Sequence, residues 1–192
     1  VYVILNVLDI DGLYQILRNK HSTVVIGKKL DFKSYGIDLD FSDKALLTFA
    51  ERAHQEKTGA RGLLSVFEKF LIKFEKSLPS TSIEKLLVDE ELIANPNESL
   101  KHLLIEDGIQ SFQKEFLVEH GTYLEFDEEA MRLLETKVGT ELKSIKQLCN
   151  DLFHDYFHGM RLLNLESFTI TKEAVENPEE YLNNYIKDNY NN

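Results

Sequence analysis

From Leu63 to Leu78 apolar side chains recur every three or four residues, as Leu63, Val66, Phe67, Phe70, Leu71, Phe74 and Leu78. That spacing puts all seven on one stripe of a helix, and Pro79 closes it. Upstream, Ile37, Leu39 and Phe41 alternate with acidic residues, the period of a strand. Ser42 is positioned as the N-cap of a helix whose inner side is Leu46, Phe49, Ala50 and Ala53. Residues Ile83 to Val88 predict a second strand, and Asn95-Pro96 stops the short element after it. Near the start, residues 1–7 read as a buried strand, and Asp9 or Asp11 caps a short helix with Leu13, Ile16 and Leu17 inward. A polar stretch, Arg18 to Thr23, separates that helix from Val24-Val25-Ile26. Gly27 then interrupts the apolar pattern and leaves helical geometry there in question.

The same order of elements then recurs. His120-Gly121-Thr122-Tyr123-Leu124-Glu125-Phe126 repeats the layout of Tyr35-Gly36-Ile37-Asp38-Leu39-Asp40-Phe41, with Asp127 in the cap position of Ser42, 85 residues on. The long stripe recurs 82 residues on as Ile145, Leu148, Cys149, Leu152, Phe153, Tyr156 and Met160, and Asn95-Pro96 recurs as Asn177-Pro178. The difference of three residues falls in the loop before the long helix. We read a tandem duplication of one small domain. Between the copies, Leu100 to Val118 reads as helical with a break at Gly108.

Composition narrows the function. The chain has 192 residues, 22 basic against 33 acidic, and a net charge of −11. No basic run offsets that charge, so a nucleic-acid partner is excluded. No apolar run reaches the ~18–20 residues of a membrane span. The apolar start Val1-Tyr2-Val3-Ile4-Leu5 lacks the features of a signal peptide. It is expected to be a strand continuing from upstream sequence, so the chain is expected to be a C-terminal piece of a longer protein. The single cysteine, Cys149, has no disulfide partner, which suits a reducing, cytoplasmic setting. His154 and His158, four apart near Asp151 and Asp155, have a spacing that could hold a metal, but no metal site is expected. The acidic groups Asp9/Asp11 and Asp127/Glu128/Glu129 sit at helix starts, where capping and the helix dipole account for them.

The candidate chemistry lies in Lys57-Thr58-Gly59-Ala60-Arg61-Gly62-Leu63, where a polar loop becomes the long helix. Thr58 is the expected N-cap, and two glycines bracket Arg61. A guanidinium there opposes the dipole of its own helix. Backbone N–H groups, dipole and guanidinium fork together would suit a phosphate; a solvated surface arginine is the other reading. Thr58-Gly59-Ala60-Arg61-Gly62-Leu63 resembles the second-sensor motif of ClpX-type AAA+ protein unfoldases. The resemblance extends over residues 1 to 95, through Leu8 to Leu17, Tyr35 to Phe41 and Phe74 to Ser80.

The resemblance implies an α+β fold. Residues 1–20 would be a remnant of a large AAA+ domain with its hinge. Residues 21–103 would form a first small lid domain, with helices flanking a small β-sheet, and 104–192 a second, degenerate copy. It also implies that Arg61 senses a nucleotide phosphate, with Gly59, Ala60 and Gly62 supporting its loop. ATP and magnesium would be cofactors of the parent protein, with none tightly bound to this stretch, which has no phosphate loop. Neighbouring AAA+ subunits in a homo-hexamer, protein substrates and a peptidase are the implied partners. In the second copy Arg61 maps onto Lys143, with Glu141, Leu142 and Ser144 replacing Gly59, Ala60 and Gly62. Lysine cannot make the guanidinium fork, so Lys143 is expected to be a surface residue. The alternative function, which the second copy fits better, is a non-catalytic interaction or oligomerisation module.

Overall fold

In the computed structural model, which describes residues 8–140 and 144–190, Asp9 rather than Asp11 opens the first helix. The Asp9 carboxylate accepts from the N–H of Gly12 at 2.8 Å, and α1 runs Ile10–Arg18. The proposed strand at 1–7 lies outside the described residues, as do 141–143. The chain divides into two units, Val1–Leu104 and Ile105–Asn192.

In the first unit, α2 (Thr23–Ser34) is followed by β1 (Asp38–Phe41), α3 (Asp43–Gln55), α4 (Ala60–Ser77), β2 (Lys85–Val88) and the short α5 (Glu90–Ala94). Ser42 caps α3 as its sequence predicts, its hydroxyl accepting from Ala45 N at 3.0 Å. β1 and β2 pair in parallel, Leu39 opposite Leu86 and Phe41 opposite Val88, with these four inward and Asp38 and Asp40 outward. The seven stripe residues of the long helix are all buried. Phe49 and Phe67 meet with ring centroids 4.3 Å apart, and Phe41 and Phe70 pack around them at 5.2 Å. α1 packs on α3, and Leu13 and Leu17 belong to this core, so the segment read as a domain remnant contributes to the same hydrophobic cluster.

Gly27 does not interrupt α2. The helix runs through it, because a single glycine costs only ~1 kcal/mol against alanine. The following Lys28 ties α2 to α4 by an ion pair with Glu75 at 3.0 Å. Nor does Gly108 break the linking helix: α6 (Pro96–His120) is continuous. A Cβ on Gly108 would lie 2.0 Å from Cγ2 of Ile145, so the glycine serves close packing.

In the second unit, after α6, come β3 (Tyr123–Phe126), α7 (Glu128–Thr140), α8 (Ile145–Phe153), α9 (Tyr156–Leu162), β4 (Ser167–Ile170), α10 (Lys172–Glu176) and α11 (Pro178–Tyr190). β3 and β4 pair in parallel, Leu124 opposite Phe168 and Phe126 opposite Ile170. The expected single long helix is divided at His154–Asp155, where His158 N reaches the Asp155 carbonyl, a tighter span than an α-turn. Backbone angles at both residues stay right-handed, so the apolar stripe carries across the division: Cys149, Phe153, Tyr156 and Met160 are all buried. Among the described residues no helix is long and apolar enough to cross a membrane.

Candidate functional site

The turn from α3 into α4 is built by residues that leave the ordinary right-handed backbone. Lys57 has φ 55°, and Gly59 has φ 61° with ψ −142°, a conformation open in practice to glycine. Gly59, not Thr58, occupies the N-cap position of α4, and no side chain caps this helix. Thr58 stands one residue before that position, and its hydroxyl sits 2.7 Å from where a Cβ on Gly62 would stand. The same Cβ would lie 3.1 Å from the Ala53 carbonyl oxygen, so Gly62 lets α4 start hard against the end of α3. The two glycines therefore serve different purposes, one conformational and one steric.

Arg61 is the second residue of α4 and is exposed, as is Ala60. Among the described residues no carboxylate pairs with it, whereas Arg18 pairs with Asp43 at 3.7 Å and Arg132 with Glu128 at 3.4 Å. The first turn of α4 also contains no acidic side chain. An exposed guanidinium, a helix start that no side chain caps and a close-packed backbone thus meet at one point. Chemically this arrangement can receive an anion, through N–H groups and charge together.

The second unit differs here. Lys143, Glu141 and Leu142 lie outside the described residues. Ser144, the position of Gly62, is the N-cap of α8. Its hydroxyl accepts from Gln147 N at 3.3 Å while Gln147 Oε1 accepts from Ser144 N at 3.1 Å, a capping box. Side chains of the helix itself thus take up N–H groups that α4 leaves without a side-chain acceptor.

His154 lies 3.3 Å from the Asp155 carboxylate, and the His158 ring rests on Phe157 with centroids 3.7 Å apart. Among the described residues no three of His, Cys, Asp and Glu gather as metal ligands. Burial pushes the Cys149 thiol up to about 12. The sequence reading missed a groove of about 460 Å³ farther along α4, lined by Arg52, Glu56, Lys69 and Lys73 over Val66 and Phe70. Its only sequence signal is the i, i+4 pair Lys69 and Lys73, one turn apart on the polar side of the stripe.

A family model described as the C-terminal, D2-small domain of ClpB protein matches residues 8–74. An ATP-dependent clpX-like mitochondrial chaperone of Saccharomyces cerevisiae is 32% identical over 92 residues, 48% of this chain and 18% of that protein. The ATP-dependent Clp protease ATP-binding subunit ClpX of Treponema denticola is 30% identical over 108 residues, 56% of this chain and 26% of the relative. A ClpX subunit of Wolinella succinogenes is 27% identical over 94 residues, 48% of this chain and 24% of the relative. The chain thus spans about a fifth to a quarter of the length of these proteins. These similarities support a C-terminal small lid domain of a ClpX-type AAA+ protein in the first half of this chain.

Proposed function

We propose that this chain is the nucleotide-sensing lid region of an ATP-driven protein unfoldase, and that Arg61 contacts the phosphates of ATP bound against a large domain of the same protein. The observation that carries the reading is Arg61, exposed and without an ion-pair partner among the described residues, at a helix start that no side chain caps, between Gly59 and Gly62. These residues fit a phosphate oxygen: the donors are present, and among the described residues no carboxylate pairs with Arg61. ATP and magnesium would be held chiefly by the large domain, and rotation about residues 18–23 would couple hydrolysis to pulling on a protein substrate. Neighbouring subunits in a homo-hexameric ring and a peptidase are the partners in this reading, with the single buried Cys149 suited to a reducing compartment such as the cytoplasm.

We read 104–192 as a degenerate second copy of 21–103. Backbone hydrogen bonds repeat at the offsets of the sequence. Asp38 N to the Glu84 carbonyl has its counterpart in Tyr123 N to Glu166, and Ser42 N to Val88 in Asp127 N to Ile170. Asn95 N to Glu91 and Ser99 N to Asn95 recur as Asn177 N to Glu173 and Tyr181 N to Asn177. The capping box of Ser144 favours a second, non-catalytic role for this copy, because its own side chains answer the helix start.

Arg61→Ala in the full-length protein tests the reading. Loss of one charged donor to a transferring phosphoryl group is expected to lower ATP turnover by on the order of 100-fold, with circular dichroism unchanged. Arg61→Lys should recover little, because lysine lacks the fork. Wild-type turnover and wild-type nucleotide affinity in Arg61→Ala would remove Arg61 from the mechanism.

A further inference from the structure

The basic groove on α4 has a counterpart of opposite charge. In the first unit the groove is lined by three cations, Arg52, Lys69 and Lys73, against one carboxylate, Glu56, over an apolar floor of Val66 and Phe70 with Pro96 at its rim. In the second unit a groove of the same volume, about 460 Å³, is lined by Asp151, Glu176, Glu179 and Glu180 around Leu152, Asn177 and Pro178. By the 82-residue offset Leu152 stands for Phe70 and Pro178 for Pro96, so the two grooves occupy equivalent places. Asp151 then replaces Lys69, Asp155 replaces Lys73 and Glu179 replaces Asn97. Only Arg52 keeps its sign, as Lys137, 85 residues on. The cations of the first groove and Glu176, Glu179 and Glu180 of the second are exposed. Within the chain Lys69 reaches Glu56 at 2.7 Å and Lys73 reaches Asn97 at 2.6 Å, so their positive ends already point along the groove.

We propose that these grooves are the two halves of a head-to-tail contact between copies of this chain, the basic groove of one copy receiving the acidic groove rim, around Glu179 and Glu180, of the next. A chain of net charge −11 repels its own copies over most of its surface. Association therefore needs a local positive face, which the first groove supplies, and a local acidic face, which the rim of the second supplies. Because the two faces are different patches of one chain, the contact is heterologous. It propagates as a ring where the rotation closes and as a filament where it does not. Lys69 and Lys73 set register and attraction while Val66 and Phe70 supply apolar floor, so the contact is salt-sensitive. This contact rests on the equivalence of the two halves but not on Arg61 or a nucleotide. An ATPase result and an association result can therefore fail separately.

Sedimentation velocity of the 192-residue chain over a range of concentrations is the test. Association is expected at low ionic strength and is expected to weaken at ~1 M salt, where the Debye length is about 3 Å. Two double variants change only exposed residues: Lys69→Glu with Lys73→Glu, and Glu179→Lys with Glu180→Lys. The first variant carries two acidic grooves and the second has lost the net charge of its acidic groove, so each alone is expected to lose roughly tenfold or more in self-association. Mixed in equal amounts, the two variants are expected to pair again, since one keeps the basic groove intact and the other the acidic one. A wild-type chain that stays monomeric at all concentrations overturns the proposal. So do variants that associate as the wild type does, or a mixture that stays apart while circular dichroism shows both variants folded.

Discussion

Gly59 and Gly62 stand three residues apart for unrelated reasons, and the difference is measurable. Gly59→Ala places a Cβ in open space but on a backbone with φ 61° and ψ −142°, a strain of about 1–3 kcal/mol. Gly62→Ala has an ordinary helical backbone but sets its Cβ against the Thr58 hydroxyl and the Ala53 carbonyl, an overlap of about 1–3 kcal/mol. Thr58→Ala removes the nearer of those two atoms. It should therefore recover part of the Gly62→Ala loss and none of the Gly59→Ala loss, a coupling that urea unfolding of the three single and two double variants can read. Equal behaviour of the two glycines towards Thr58→Ala would show that the steric account is wrong. The places of both glycines were legible in the sequence, and so was the exposed charge between them. The assignment of Thr58 as cap was not, because side-chain capping preference yields when a glycine holds the cap position and the hydroxyl is needed to fill the space beside Gly62.

Among the elements, two glycines inside helices make the same point with opposite signs. Both Gly27 and Gly108 read as breaks, yet α2 and α6 pass through them. A Cβ on Gly27 meets nothing within 4 Å, so Gly27→Ala should raise stability by roughly 0.5–1 kcal/mol through helix propensity. A Cβ on Gly108 meets Ile145 at the start of α8, a β-branched side chain with little freedom to move aside. Gly108→Ala should therefore lower stability by about 1–3 kcal/mol, and Ile145→Ala in the same chain should make the added methyl tolerable. Thermal midpoints of the two single variants moving in the same direction would contradict this. The long helix of the first unit, its two strands and the inward stripe followed from spacing alone, since period and burial are local; which strands pair did not. The continuity of α2 and α6 did not, because whether a glycine breaks a helix or admits a neighbour depends on what lies across from it. The division between α8 and α9 was equally hidden, as the stripe from Cys149 to Met160 keeps helical period on both sides.

At the scale of the whole molecule, the net charge was legible from composition but its sorting into a basic and an acidic groove was not. Each groove gathers residues from different helices, Arg52 on α3 with Lys73 on α4 and Asp151 on α8 with Glu180 on α11. The burial of ionisable groups shapes how stability varies with pH. Burial pushes the Cys149 thiol up to about 12. Burial, with a contribution from Tyr181, also raises Tyr156, whose hydroxyl donates to the Pro178 carbonyl at 3.0 Å. In the first unit, burial works against the charge of Lys28, but its hydrogen bonds and charge interactions with Glu75 and Asp31 outweigh that and leave it raised above 10.5. All three shifts are upward, so each contributes stability that is whole below the unfolded-state value and is lost as pH climbs towards the folded one. Cys149 sets the first window. An unfolded thiol ionises near ~8.5 while the native one stays protonated, so unfolding should become easier by about 1.4 kcal/mol per pH unit from there upward. Tyr156 joins only above ~10 and Lys28 above ~10.4. Between pH ~8.5 and ~10 the decline is therefore assigned to Cys149. Cys149→Ala is expected to be less stable than the wild type at neutral pH, because it leaves a small void in the core of the second unit. Its stability should nevertheless stay nearly flat over that interval while the wild-type curve falls. Parallel curves for the two proteins in urea unfolding at a series of pH values would show that the alkaline loss originates elsewhere.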